Sequence, residues 1–372
     1  MADLRIDAVT LHHVRMPLRT PFETSFGRET DRDGLLIRLD AAGLSAWGEC
    51  VADRRPGYCY ETVGTAWLML EELMIPAVLG RSIPDRAALQ AALPAFRGHP
   101  LARAGLEMAF WDLWGRAVGQ PLAALLGGER AAVPVGVSVG IQRDAAALCE
   151  TVAGYVAQGY RRVKLKIKPG RDRGEVRAVR AAFPDLPLQV DANSAYRLED
   201  SAALQALDAF GLLLIEQPLA EDDLVDHAQL QRLLRTPLCL DESILSVRHA
   251  RQALDLDACR IVNIKAGRVG GLGEAVAIHD LCRGRGAPVW CGGMLETGIG
   301  RASNLALASL PGFTLPGDIS ATERYYEHDV AEPAFALNPD STIDVPRAPG
   351  LGVTVLPQAV GRVCLRRQRF RA

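Results

Sequence analysis

The 372-residue sequence predicts an α/β protein built on a (β/α)8 barrel, with an α+β region ahead of it. Three observations lead there. Short apolar strand candidates end at Lys166 (VKLK), Asp191 (LQVD), Glu216 (LLIE), Asp241 (LCLD) and Lys265 (IVNIK), at intervals of 25, 25, 25 and 24 residues. Helix-like stretches such as RGEVRAVRAAF, VDHAQLQRLL and GLGEAVAIHDLCRGRG fill the intervals, which is the βα unit of a parallel sheet. The series also extends outwards, with VPVGVSVG one unit earlier and PVWCGG and FTLPGD later, which makes eight strands. A doubly wound open sheet competes with this architecture. It would need strands buried on both faces and a crevice at one reversal of strand order. Eight even units favour closure.

In chain order, LRIDAVTLHHVRM and GLLIRLDAAGLSAWGEC read as antiparallel strands, the second broken by a turn near Gly43. Helical patterns follow at Glu61–Leu79 and Arg103–Val118. The character changes near Leu126-Gly127-Gly128, where the strand series begins. After about Asp318 the pattern stops, and the Pro/Gly-rich DVPRAPGLGVTV is expected to return to the first region. The expected division is 1–128, 129–320 for the barrel, and 321–372 as the returning segment.

Composition narrows the function classes. With 49% hydrophobic and 23% charged residues and a net charge of −2, nothing calls for a nucleic acid or an anionic membrane as partner. MADLRIDAV has no apolar signal core, and no apolar run is long enough to span a bilayer. The eight cysteines contain no CxxC pair, so reduced thiols in a cytoplasm are expected rather than disulfides or a zinc site. Cys239 and Cys291, within strand-like runs, read as small buried thiols.

Alternation assigns faces within each strand. In VKLKIK, Val163, Leu165 and Ile167 oppose Lys164, Lys166 and Lys168; in LQVD, Leu188 and Val190 oppose Gln189 and Asp191. Likewise Leu238 and Leu240 oppose Cys239 and Asp241, and Val262 and Ile264 oppose Asn263 and Lys265. The apolar face suits the outer helices, so the polar face points into the barrel. Lys166, Asp191, Glu216, Asp241 and Lys265 then stand at the C-terminal ends of five successive strands, where enzymes of this fold keep their active sites.

Each residue alone has a plain structural reading. Asp191 could cap a helix, Glu216 could close a strand at a turn, Asp241 and Glu242 could be surface acid in a first helical turn, and both lysines could reach solvent. Five at matching positions of a repeat are not independent accidents. Three carboxylates on adjacent strands form an all-oxygen site suited to Mg²⁺, with Mn²⁺ or Co²⁺ able to substitute; no thiolate or imidazole points to zinc. A lysine on either side in strand order suits removal of a proton next to a carboxylate, the cation offsetting the enediolate charge. Neighbouring cations, Lys164 among them, are expected to lower the lysine's pKa towards the ~7–8 useful for base work.

The motifs KLKIKPG, VDAN, IEQPL, LDES, NIKAGRVGG and GGMLETGIGRA resemble, over nearly the whole chain, the muconate-lactonizing-enzyme subgroup of the enolase superfamily. The resemblance implies an α+β capping domain on a modified TIM-type barrel. It also implies that Asp191, Glu216 and Asp241 bind Mg²⁺ and that Lys166 and Lys265 are the acid/base pair on opposite faces of the substrate. Lysine on both strands distinguishes the chain from mandelate-racemase-like enzymes, which use a His on the seventh strand, where PVWCGG has none. Within the subgroup, PFETSFG, GGMLETGIGRA and LPGDIS are similar to o-succinylbenzoate synthases and N-succinyl (N-acyl) amino acid racemases. Arg268 matches an arginine of racemase-capable members, whereas Ala266 stands where proline is common.

These motifs imply Mg²⁺-dependent lyase or isomerase chemistry on a small-molecule carboxylate, in a cytoplasmic homo-oligomer. Synthase and racemase activity both remain open. Muconate cycloisomerisation or dipeptide epimerisation is the alternative within the enzymes, although Gly317-Asp318-Ile319-Ser320 lacks the Asp-x-Asp common in the epimerases. A catalytically silent binding barrel is the alternative outside them, disfavoured because it has no need of two inward lysines. Auxiliary or substrate-binding roles are expected for Lys164, Asn193, Glu242, Arg268, Gly293, Met294 and Asp318. Ser25 and Phe26 join them from Pro21–Arg28, which reads as a lid or, alternatively, as an ordinary hairpin connection.

Overall fold

The computed structural model describes residues 4–93 and 96–372. A four-stranded antiparallel sheet forms the cap, in the order Cys364–Arg371, Ile6–Thr24, Gly27–Ala41, Leu44–Cys50. Ala41 pairs with Leu44 across a two-residue turn in which Ala42 and Gly43 take φ of 50° and 77°, the left-handed pair that a tight hairpin requires. Helix Pro100–Val118 lies directly on Leu44–Cys50. A Cβ on Gly48 would come within 2.1 Å of the Gly105 carbonyl, so the two glycines permit this contact. Ile37, Leu39, Trp67, Phe110 and Leu113 fill the cap's core.

The second sheet has seven parallel strands in strict chain order: Val137–Val139, Val163–Lys166, Leu188–Asp191, Ile215–Glu216, Leu238–Leu240, Ile261–Ile264 and Val289–Cys291. The eighth position is not a regular strand. The segment from Phe313 to Asp318 makes isolated bridges, Phe313 with Val289 on one side and Gly317 with Val135 on the other. Proline at 311 and 316 removes backbone donors, which breaks the ladder, but Gly317 N still donates to Pro134 O at 3.0 Å and Asp318 N to Cys291 O at 2.9 Å. The barrel therefore closes through this segment. VPVGVSVG also divides: Ala132–Pro134 pairs antiparallel with Thr342–Asp344, and only Val137–Val139 joins the barrel sheet.

Alternation places the outward residues Leu165, Val190, Leu240 and Ile264 against helix residues such as Val176, Val179, Leu204 and Ala250 in one large core. Inside the barrel, Leu214, Cys239, Ile261 and Trp290 make a small separate apolar floor. Charged residues stand on it: the Lys164 ammonium lies 4.9 Å from the Trp290 ring centroid, with Arg162 over the same ring. Side chains at the starts of several outer helices accept from their first-turn N–H groups, as Asp144 does from Ala147 and Ser246 from His249.

Cap and barrel are tied by buried polar contacts. Glu49 accepts from Thr297 N (3.0 Å), Thr297 Oγ1 (2.7 Å) and Gly300 N (2.8 Å), and so caps the barrel helix Gly298–Ala308 from the cap sheet. The returning segment meets the cap twice: Leu351 N donates to Asp112 Oδ1 at 2.8 Å, and Cys364–Arg371 pairs with the first strand. No helix among the described residues is long and apolar enough to cross a membrane.

Candidate active site

The register puts Lys166 opposite Asp191, and Asp191 opposite Glu216, on neighbouring strands. Glu216 pairs with Cys239, so Asp241 lies one two-residue step further along; Lys265 lies four residues beyond Ile261, the partner of Cys239. The five residues therefore climb the barrel as a staircase, as strand tilt and stagger demand. Around the ring, Lys166 and Lys265 are four strands apart, and both line one cavity between barrel and cap.

Asp191, Glu216 and Asp241 do not themselves line this cavity; they are held by cations, some of which do. Lys166 donates to Asp191 Oδ2 at 2.6 Å and to Asn193 Oδ1 at 2.7 Å. Lys164 reaches Asp191 at 3.0 Å, Glu216 at 2.8 Å and Asp318 at 2.6 Å. Lys265 donates to Asp241 Oδ2 at 2.7 Å, and Arg268 contacts Asp241 Oδ1. Burial opposes charge on Asp191 and Asp241. The Lys166 and Lys164 ammonium groups nevertheless hold Asp191 well below the carboxylate range, and Lys265 and Arg268 hold Asp241 low.

In this geometry Lys164 has carboxylate partners of its own. Three carboxylates occupy Lys164, whose own pKa is raised against the pull of burial by Asp318, Glu216 and Asp191. Lys265 is likewise depressed by burial but carried above its ordinary value by Asp241, Tyr58 and Glu242. The physical reason is distance: the carboxylates touch these lysines, so they outweigh any repulsion between the ammonium groups.

The remaining predicted residues take supporting places. Asn193, at φ 44°, accepts from Lys166 and donates from Nδ2 to Glu242 Oε1 at 2.9 Å. Arg268 also donates to the carbonyls of Ile244 (2.7 Å) and Asn263 (2.6 Å). Asp318 is taken up by Arg162 at 2.6 Å, Lys164 and Ser138, although it borders the cavity. Gly293 and Met294 line the wall. Pro21–Arg28 is a two-residue hairpin with Thr24 opposite Gly27. Its tip reaches the site, since Ser25 Oγ donates to Asn193 O at 3.2 Å and Phe26 lines the cavity.

Sequence reasoning missed Tyr58, Gln217 and Asn263 as site residues. Tyr58 comes down from the cap, its hydroxyl 2.8 Å from Asp241 Oδ1 and 3.2 Å from Lys265 Nζ. Gln217 Oε1 accepts from Asp241 N and Ser243 N and shapes that loop, while Asn263 donates to Glu216 Oε1 at 2.7 Å. Gln217 stands in IEQPL and Asn263 on the inward face of its strand, which were the available signals. Tyr58 had none.

The donor set suits a hard cation. Burial, then Asp191 repelling it, pushes Glu216 well above its usual range. Burial with Asp241 and Asp191 takes Glu242 to about 8, and Glu242 Oε2 is buried without a hydrogen-bond partner. Burial and repulsion between neighbouring carboxylates raise both acids, and an added cation would relieve them. Among the described residues no three His, Cys, Asp or Glu side chains converge as a metal site, because lysine and arginine hold the oxygens of Asp191, Glu216 and Asp241. A cation held by these three carboxylates would have to displace those contacts.

Fold and site together define a class. Residues 147–359 match the enolase C-terminal domain-like family, and 6–127 match the mandelate racemase / muconate lactonizing enzyme N-terminal domain. The chain belongs to the enolase superfamily. Among curated relatives, o-succinylbenzoate synthase of Geobacillus stearothermophilus is 53% identical over 96% of each chain. N-succinylamino acid racemase of Thermus thermophilus is 51% identical over 97% of this chain and 98% of its own. A solved enolase-superfamily structure from Listeria innocua superposes with a TM-score of 0.94 at 40% identity, covering 99% of both chains.

Proposed function

We propose that this chain removes the proton α to a substrate carboxylate, acting on N-succinylated amino acids, on the precursor of o-succinylbenzoate, or on both. The observation that carries the reading is the pair Lys166 and Lys265 lining one cavity four strands apart, with the strands of Asp191, Glu216 and Asp241 between them. Relatives bearing both names at 51% and 53% identity support the substrate class.

In this reading Asp191, Glu216 and Asp241 hold Mg²⁺, with Mn²⁺ or Co²⁺ able to substitute. Bound there, the ion would supply positive charge against the negative charge that accumulates on the substrate carboxylate as its α-proton leaves. Lys166 serves one face of the α-carbon and Lys265 the other. In racemisation one takes the proton and the other returns one, so each works as acid and as base. In o-succinylbenzoate formation Lys166 takes the proton and assists departure of hydroxide from the same face, while Lys265 as ammonium offsets the developing charge. Lys265 becomes basic only when Asp241 is drawn off it, because that carboxylate stabilises its ammonium form. Asn193 holds Lys166 in place and Glu242 holds Asn193. The cap-side wall, with Ser25, Phe26, Gly293 and Met294, receives the succinyl arm.

A cytoplasmic homo-oligomer, divided as 1–128, 129–320 and 321–372, completes the reading. The test is deuterium exchange with Mg²⁺ in D₂O, using each enantiomer of N-succinyl amino acids and the o-succinylbenzoate precursor. Lys166→Ala and Lys265→Ala should each abolish racemisation, and each should retain exchange from one enantiomer only. Equal exchange of both enantiomers in either variant overturns the opposite-face assignment.

A further inference from the structure

A second groove lies at the junction of cap and barrel, lined by Tyr60 but by none of the residues that line the lysine cavity. Four arginines and a histidine border it, drawn from separate elements. Arg86 begins helix Arg86–Ala92, Arg97 lies in the loop that follows, and Arg103 is in the first turn of helix Pro100–Val118. Arg248 and His249 come from the barrel helix Val247–Asp255.

These arginines are largely without carboxylate partners, as are many others in this chain. Arg15, Arg32, Arg116, Arg162 and Arg268 each hold a carboxylate. Among the described residues, Arg97, Arg103 and Arg248 have none within 4.0 Å. Arg86 has only Glu107 at 3.8 Å, and its Nε is buried without a hydrogen-bond partner. That nitrogen is packed tightly against the barrel: a Cβ on Gly273 would lie 1.9 Å from it.

The groove's two acids are committed elsewhere. Glu107 accepts from Gly273 N at 2.8 Å and Trp111 Nε1 at 3.1 Å, and Glu274 accepts from Val247 N at 2.8 Å. Counting formal charges, the four arginines exceed these two carboxylates, so the groove carries net positive charge. A guanidinium fork matches two oxygens of a tetrahedral oxyanion.

We propose that this groove is an anion site that takes a phosphate group, and that its occupant clamps the cap to the barrel. Inorganic phosphate and pyrophosphate are the probes, measured by calorimetry and by melting temperature in chloride buffer of matched ionic strength. Wild type should bind pyrophosphate saturably and melt higher with it, since a ligand bound only to the native state stabilises it. Arg103→Gln and Arg248→Gln should each weaken binding by roughly tenfold or more, while the unliganded melting temperature hardly moves.

Undiminished binding in the Arg103→Gln/Arg248→Gln double variant would assign the anion to the lysine cavity and overturn the proposal. A response that matched sodium chloride would reduce it to charge screening, with the same consequence. Neither result bears on the proton-transfer reading, which rests on other residues.

Discussion

Tyr58 in the cap and Lys265 on the barrel share one carboxylate, Asp241. The tyrosine hydroxyl donates to Oδ1 at 2.8 Å and the ammonium to Oδ2 at 2.7 Å, with the ammonium 4.4 Å from the tyrosine ring centroid. Cap position and the protonation of Lys265 are thus linked through a single side chain.

Tyr58→Phe keeps the ring over Lys265 and removes only the hydroxyl. Hydrogen bonds to charged groups contribute about 1.5–3 kcal/mol, so exchange from the enantiomer served by Lys265 should fall by roughly ten- to a hundredfold. Exchange served by Lys166 should change little, because Lys166 is held by Asp191 and Asn193 instead. Separate deuterium-exchange rates for the two enantiomers check this; an equal loss in both would refute the selective link.

Asp241→Asn should abolish turnover at every Mg²⁺ concentration and also cost stability. Lys265 and Arg268 are both buried on this carboxylate, and stranding such cations costs about 3–5 kcal/mol in comparable cases. The variant should therefore fold but unfold at lower denaturant. Near-wild-type activity at low Mg²⁺ would contradict the assignment of Asp241 to the cation.

Glu49 links stability to pH. Burial pushes its carboxyl from an ordinary 4.5 up to about 7, even though Thr297 and Gly300 donate to it. A carboxyl raised in the folded state binds its proton more tightly there than in the unfolded chain. Its stabilising contribution is complete below 4.5 and is lost as pH rises through about 7, a change on the order of 3 kcal/mol. Glu29, Glu61 and Glu242 are raised too, so the diagnostic quantity is the difference between proteins. Between pH 5 and 8, the urea midpoint of Glu49→Gln should fall less than that of wild type. Parallel slopes would exclude Glu49 as a source.

Much of the site was legible because strand parity is a local property. Once VKLK, LQVD, LCLD and IVNIK are strands, covalent geometry sends Lys166, Asp191, Asp241 and Lys265 to one face, and the 24–25-residue interval brings them to one rim. The climb from Lys166 to Lys265 was not legible, since stagger belongs to the closed barrel rather than to any strand. Nor was Tyr58, which lies in the aperiodic RRPGYCYET, 207 residues from the lysine it contacts.

By itself, then, the sequence determined the repeat, the inward face of each strand and the residue types gathered at the rim. Tertiary structure decided which charges meet. It assigned Lys164 to three carboxylates rather than to its neighbouring lysine, closed the eighth position with an irregular proline-containing segment, and brought Tyr58 onto Asp241. The reason is range. Side-chain parity is set from one residue to the next, whereas an ion pair falls off with distance through space, and only the folded chain sets those distances.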